Sequence, residues 1–181
     1  MDLYKAYDCL PHDLLMAKLA AYGFSVNSLC LMYDYLNNRY QMVKIGSTRS
    51  SQPKIHVGVP QGPVLGPMLF SIFINYLFLI SLDSELCNFA DDNTMFACEN
   101  DLHQIATVLE NDLSKLLEWF TCNGMVVNPN KLQLIFLGLK SEQGLHLNIQ
   151  GSKILAKEHV KLLGIEIDNK LKFDKHVQSS F

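Results

Sequence analysis

Two adjacent aspartates, Asp91 and Asp92, lie between two apolar segments, and this placement constrains the fold more than any other feature of the sequence. Neighbouring carboxylates repel each other and suit no core. The segments on either side, Glu85 to Ala90 and Thr94 to Cys98, read as strands. A hairpin with Asp91-Asp92 as its tight turn satisfies both requirements. A turn accounts easily for one Asp, and less easily for two flanked by Phe89 and Met95. A metal partner accounts for the pair, because Mg²⁺ is hard and prefers oxygen ligands. Two such ions can activate an attacking hydroxyl and stabilise a leaving oxygen. A site of this kind draws a further carboxylate from another strand, and Asp2 and Asp8 are the candidates.

The rest of the chain alternates helices with short strands. Met1 to Cys9 suits the end of a strand running into a turn. His12 to Tyr22 has helical spacing and stops at Gly23. Asn27 is placed to cap a second helix over Ser28 to Asn37, with Leu29, Met32, Tyr33 and Leu36 on one face. Gln41 to Ile45 alternates as a half-buried strand, and Pro53 to Val59 gives the returning arm of a hairpin. Val64 to Leu82 is uncharged over a near-membrane length, but Pro67, Ser71, Asn75 and Ser81 favour a core helix over a span. Leu102 to Asn123 is a long amphipathic helix ended by Gly124. Lys131 to Leu137 reads as a strand, His146 to Ile149 with Lys153 to Leu155 as a hairpin, and Lys161 to Ile167 as a further strand. This order implies an α+β fold, a mainly antiparallel sheet with helices packed on one face, and not a parallel doubly wound sheet.

Of the 181 residues, 49% are hydrophobic and 18% charged. That balance excludes disorder. The five cysteines form no CxxC pair and read as buried, reduced thiols. The formal net charge is −3. This is unexpected for a nucleic-acid enzyme, because phosphate neutralisation needs Lys and Arg. Either the chain binds no nucleic acid, or its basic surfaces lie on other segments.

Several further motifs occur together with the acidic pair. Asp2-Leu3-Tyr4-Lys5-Ala6-Tyr7-Asp8, followed by Pro11-His12, resembles the first palm motif of non-LTR reverse transcriptases. Gly58-Val59-Pro60-Gln61-Gly62-Pro63 is similar to the second, and Phe89-Ala90-Asp91-Asp92 to the third. Trp119, Asn123-Gly124-Met125, Asn128 and Lys131 resemble the fourth. Leu162-Leu163-Gly164 and Asp168 resemble the stretch leading into the thumb. The motifs run in the family's order across nearly the whole chain.

The resemblance implies an RNA-directed DNA polymerase palm that adds dNTPs to a primer 3′-hydroxyl by two-Mg²⁺ catalysis, with Mn²⁺ as an alternative ion. Asp2, Asp91 and Asp92 are then the catalytic metal ligands, and the Leu3 carbonyl also faces a metal. Lys5, Tyr7, Gln61, Gly62 and Lys131 contact the dNTP, with Tyr7 under the sugar and Lys131 near the leaving pyrophosphate. Leu163 and Gly164 belong to the hairpin that forms the primer grip. Asp8 orders a local turn, and His12 packs at a helix start. Residues 1–158 form the palm, and 159–181 the primer-grip strand and the start of a thumb connection. The partners are an RNA template, a DNA primer and dNTP. The family places the protein inside the cell, in nucleus or cytoplasm, with no membrane association. In the family a fingers region precedes the first Asp, so the chain alone is expected to extend primers poorly. A domesticated remnant that binds RNA or protein and an unrelated Mg²⁺-dependent phosphotransferase are the alternatives.

Overall fold

The computed structural model describes residues 1, 3–128, 131–138 and 146–179. Its backbone divides into two compact units. One comprises Met1–Asp2, Ser81–Glu118 and Val127–Phe181, and the other Leu3–Ile80 with Trp119–Val126.

The second unit is mainly helical. After Lys5, whose φ is +47°, a 3₁₀ turn runs over Ala6–Asp8, where the sequence suggested a strand end. Helix α1 spans His12–Ala21. Its C-terminus closes as a glycine stop requires. Gly23 has φ +84°, its N–H donates to Ala20 O, and Phe24 N–H donates to Leu19 O. Helix α2 spans Val26–Leu36, and its cap is Ser25, not Asn27. The Ser25 hydroxyl accepts Ser28 N–H at 3.2 Å. A serine oxygen satisfies the otherwise orphaned N–H, so the helix starts ahead of the expected point. Strands β1 (Lys44–Ile45) and β2 (Thr48–Arg49) pair across Gly46-Ser47. The second arm therefore precedes the expected Pro53–Val59 segment, which contributes isolated bridges at Lys54 and Val57.

Helix α3 covers only Leu65–Ile74, and a 3₁₀ turn over Asn75–Leu79 completes the apolar stretch. Phe70, Phe73, Ile74 and Leu77 are buried, as expected of a core element. Among the described residues no helix is long and apolar enough to cross a membrane. Helix α1 packs on both α2 and α3.

Lys18 is the unusual member of this core. It is buried, with Nζ donating to Phe73 O at 3.1 Å and Asn123 Oδ1 at 2.6 Å. Its ammonium lies 3.7 Å from the Phe73 ring centroid and 4.7 Å from that of Trp119. This is a cation–π setting. Among the described residues no carboxylate pairs with it. Burial lowers its pKa from 10.5 to about 8. Desolvation penalises the charged form. The unfolded chain then holds this proton more tightly, so the native state gains relative stability as pH rises from about 8 towards 10.5. Urea melts of wild type and Lys18→Met, at about pH 7.5 and about pH 9.5, are expected to shift in favour of wild type at the higher pH. A difference independent of pH would contradict desolvation of the ammonium.

The other unit carries most of the strands. β3 (Glu85–Phe89) and β4 (Asp92–Phe96) form a hairpin. Helix α4, Leu102–Cys122, continues from this unit into the other and matches the predicted length within a residue. β5 (His146–Ile149) pairs with β6 (Ser152–Leu155), as the sequence indicated. Lys161 to Ile167 is not one strand. β7 (His159–Leu162) turns at Leu163-Gly164 into β8 (Ile165–Asp168). Both turn residues have positive φ, +47° and +87°. That is the signature of a tight type I′ hairpin. Lys131 to Leu137 is irregular, with one parallel bridge from Leu134 to Ala156. A short helix α5, Asp174–Ser179, follows β8.

The core of this unit is Leu113, Leu134, Phe136, Leu147 and Ile149, with Met95, Ile105, Leu109 and Leu117 packed against it. The mixture of helices and antiparallel strands agrees with the α+β reading. A continuous sheet does not: among the described residues the strands form four separate two-stranded pairs. The cysteines also depart from expectation, since Cys30, Cys87, Cys98 and Cys122 are exposed and Cys9 is half-buried.

Candidate active site

The acidic hairpin differs from the sequence reading by one register step. Phe89 pairs with Asp92, so the turn is Ala90-Asp91 and Asp92 is the first residue of β4. Strand alternation explains the choice. Asn93 must point inward, where it is 1% exposed, and Asp92 and Thr94 then share the opposite face. Ala90 adopts φ +53°. This left-handed conformation is uncommon for a residue with a Cβ.

Two asparagines hold this tip. Asn88 Nδ2 donates to Ala90 O at 2.7 Å and to Asn93 Oδ1 at 3.0 Å, and Asn93 Nδ2 donates to Asp91 O at 3.2 Å. The carbonyls of the turn are thus fixed by side-chain amides. The carboxylates themselves accept no hydrogen bond among the described residues. Asn93 also exchanges two backbone bonds with Met1: Asn93 N–H to Met1 O at 2.9 Å, and the Met1 ammonium to Asn93 O at 2.7 Å. Met1 therefore runs alongside β4. Asp2, the third predicted carboxylate, lies outside the described residues, and among those described no cluster of three metal-binding side chains forms.

Below the hairpin, the loop entering β3 is held by Asp112 of α4, which is completely buried. One oxygen, Oδ2, accepts Asp83 N–H and Ser84 N–H at 2.7 Å each and the Ser84 hydroxyl at 2.8 Å, while Oδ1 accepts Lys115 Nζ at 2.8 Å. Burial alone would push this carboxyl up, but the Lys115 ammonium and the Ser84 and Asp83 donors outweigh it and hold the pKa below the usual value.

A pocket of about 280 Å³ opens beside Asp92, lined by Met1, Thr94, Lys131, Gln133, Lys157, Lys161 and Leu162. Two segments build its basic wall. Lys157 N–H donates to Leu134 O at 2.8 Å, and the Gln133 side chain both donates to Lys161 O and accepts Lys161 N–H, each at 3.3 Å. Of the catalytic and dNTP-binding residues expected from the sequence, Asp92 and Lys131 meet here. Lys157 and Lys161 were not foreseen, although their even spacing along β7 and its approach is that of one strand face. Leu163 and Gly164 form the tip of the β7–β8 hairpin. Asp168 closes its far end by accepting N–H bonds from Lys170, Lys172 and Phe173.

In the helical unit, Tyr7 is half-buried and stacks on Phe70 with ring centroids 4.5 Å apart. Its carbonyl accepts Val59 N–H at 2.8 Å, and Leu10 O accepts Gly58 N–H at 2.8 Å. These bonds lay the Gly58–Gly62 segment against Tyr7–Leu10. The approach is so close that a Cβ at Gly58 would stand 2.8 Å from Asp8 Cα. Only glycine fits there. His12 Nε2 lies 2.7 Å from Gly58 O and is buried, which gives it the packing role expected. Asp8, expected to order its own turn, instead reaches across to the second motif: Oδ1 accepts Gln61 Nε2 at 2.9 Å. Gln61 and Gly62 are exposed, Gly62 with φ +105° and open space where a Cβ would stand. Lys5 is exposed, and the Leu3 side chain is buried.

Comparison with known proteins agrees with these motifs. The family model described as "Reverse transcriptase (RNA-dependent DNA polymerase)" matches residues 1–167. The chain is 28% identical over 189 residues to a probable RNA-directed DNA polymerase from transposon BS of Drosophila melanogaster, covering 99% of this chain and 21% of that protein. It is 26% identical over 184 residues to the RNA-directed DNA polymerase from mobile element jockey of the same species, covering 98% and 20%. It is 27% identical over 181 residues to a probable RNA-directed DNA polymerase from transposon X-element of the same species, again covering 98% and 20%. The chain spans about a fifth of the length of these relatives.

Proposed function

We propose that this chain, which belongs to the reverse transcriptase family, supplies the catalytic carboxylates and part of the substrate-binding surface of a retrotransposon RNA-directed DNA polymerase. One observation carries the reading: Asp91 and Asp92 stand at a hairpin tip whose backbone is fixed by Asn88 and Asn93, with carboxylate lone pairs that no described residue uses. That is an oxygen-only donor set held ready for a hard cation, and it fits Mg²⁺. In this reading Asp91 and Asp92, joined by Asp2 and the Leu3 carbonyl, hold the metals. When bound, Mg²⁺ supplies charge neutralisation and Lewis acidity at the transferring phosphoryl group.

The remaining residues bind and orient. Tyr7, backed by Phe70, is a rigid surface for the dNTP sugar. Gln61, aimed by its bond to Asp8, and the unhindered backbone of Gly62 approach the templated base pair, while Lys5 and Lys131 serve the triphosphate. Leu163 and Gly164, at the tip of their hairpin, grip the primer. Residues 1–158 are read as a polymerase palm with helices on one face of its strands, and 159–181 as the primer-grip region. Template RNA, primer DNA and dNTP are the partners.

The test is a chimera in which residues 1–167 replace the matching segment of the jockey polymerase. On poly(rA)/oligo(dT) it is expected to extend primer with Mg²⁺ and to stop in EDTA. Extension that persists without divalent metal would contradict the proposal.

A further inference from the structure

The net charge of −3 hides an uneven distribution. The mainly helical unit carries six Lys or Arg residues against three Asp, whereas the other unit carries nine Lys against fifteen Asp or Glu. The excess of the helical unit is concentrated. No acidic residue occurs between Asp34 and Asp83, and that interval holds Arg39, Lys44, Arg49 and Lys54. All four lie on the ribbon built around β1 and β2. Backbone bonds extend this ribbon beyond its two strands: Ser50 N–H donates to Val43 O at 2.9 Å, Gln41 N–H to Pro53 O at 3.2 Å and Ile55 N–H to Arg39 O at 2.8 Å. A basic surface, which the overall composition placed on other segments, is therefore present in this chain, between the Asp2–Asp8 and Gly58–Pro63 motifs.

The ribbon does little for the core. Every residue from Tyr40 to Lys54 is exposed, and an isolated two-stranded ribbon is marginally stable at best. Lys44 stands directly opposite Arg49 across the strands. Like charges in that position oppose pairing. Among the described residues no carboxylate relieves them, since the ion pairs belong to Lys115. An anion lying across the ribbon would turn this repulsion into attraction at both cations. At the ribbon's base Arg39 is spent locally, its guanidinium 4.5 Å from the Tyr35 ring centroid and its Nε donating to Tyr35 O. Next to it Tyr40 bridges to Lys54 and is 61% exposed. Cations that track a backbone, joined by an open ring on which a base can stack, are the two components of single-strand binding. An acidic peptide would use the cations and leave the ring idle. We propose that the β1–β2 ribbon is a docking surface for single-stranded RNA, with Lys44, Arg49 and Lys54 on the phosphodiester backbone and Tyr40 under a base. Such contacts position a strand without reading its sequence. The choice of RNA rests on the polymerase reading, in which the DNA primer is paired and the unpaired strand is RNA; the docking of a single strand does not.

The experiment uses the full chain in EDTA, so that no ion at Asp91 and Asp92 contributes. Fluorescence anisotropy gives the Kd for a labelled twelve-nucleotide oligo(U) over a range of salt, with oligo(dT) and poly-glutamate of similar length as the other arms. The double variant Lys44→Gln, Arg49→Gln is expected to weaken oligo(U) binding about tenfold and to reduce the salt slope by about 0.7 per cation removed. It should unfold no earlier than wild type, because it removes a repulsive pair. Tyr40→Ala is expected to weaken binding at least fivefold or so with the salt slope unchanged. Lys153→Glu, exposed on β6, changes the net charge as much as the double variant and should leave binding unchanged. Equal loss in Lys153→Glu, or wild-type binding by the folded ribbon variants, would overturn the proposal. Ribbon-dependent binding of poly-glutamate in preference to oligo(U) would overturn it in favour of an acidic protein, and tighter binding of oligo(dT) than of oligo(U) would overturn RNA as the occupant. A chimera that fails to extend while ribbon-dependent binding persists would remove the polymerase reading and leave the single-strand surface standing.

Discussion

Asp91→Asn is expected to lower the rate of primer extension by the chimera about 10³-fold or more while leaving the protein folded. The magnitude follows from what the residue is proposed to do. Residues that merely orient a metal ligand cost roughly 10–100-fold when removed, so loss of a ligand itself should exceed that range. Asparagine keeps the shape and one acceptor oxygen but removes the charge that makes the site a hard-cation site. The tip should survive, because its hydrogen bonds run from the Asn88 and Asn93 amides to the backbone carbonyls of Ala90 and Asp91, not to the Asp91 carboxylate. Asp92→Asn should behave alike. Wild-type extension rates with a folded Asp91→Asn protein would count against any metal role for this carboxylate.

Asp112→Ala is expected to destabilise the unit containing the acidic hairpin by about 3 kcal/mol or more, the range for uncompensated loss of a buried charged partner. The substitution leaves two backbone N–H groups and a hydroxyl without their acceptor at the entry to β3. Little of the loss should come from Lys115, which remains partly in water and can be solvated. The carboxyl pKa is lowered in the folded state, so its contribution is fully present above the unfolded value of 3.8 and is lost as pH falls through the lower folded value. Chemical denaturation near neutral pH and in acid checks both statements. Wild type and Asp112→Ala should differ at neutral pH and converge in acid.

The parts of this molecule that were legible in the sequence are those set by local periodicity. Helices α1 and α4 follow from apolar residues at helical spacing. They end where Gly23 and Gly124 permit left-handed backbone. The β5–β6 turn at Gln150-Gly151 sits between two short strands and was found by the same logic. The β7–β8 turn was not read from periodicity, because Leu163 interrupts nothing: Leu162, Leu163 and Ile165 continue an apolar run, and only the backbone reveals that Leu163 turns left-handed. The family resemblance, which assigns Leu163-Gly164 to a hairpin, pointed to it where the pattern did not. The one-residue shift at the acidic turn has a similar origin. Which of Ala90, Asp91 and Asp92 occupies the turn depends on Asn93, whose burial and bonds to Met1 depend on residues distant in the sequence.

The candidate site was legible as residue types and not as surroundings. Asp91, Asp92, Gln61 and Lys131 are visible because their motifs are short and contiguous. Asp112 and Lys18 were missed because the partners that bury them, such as Ser84 and Asn123, lie 28 and 105 residues away, and an aspartate or lysine in a helix looks the same whether buried or solvated. Lys157 and Lys161 were missed because what brings them to one pocket is their pairing with Leu134 and Gln133, which lie more than twenty residues away in the sequence.

The central claim is that the Asp91–Asp92 tip binds divalent metal, and Mn²⁺ titration of the isotope-labelled chain tests it most directly. Paramagnetic broadening is expected to begin at the amides of residues 89–94, to be displaced by excess Mg²⁺, and to disappear in Asp91→Asn. Broadening centred elsewhere, or unchanged in Asp91→Asn, would contradict the claim.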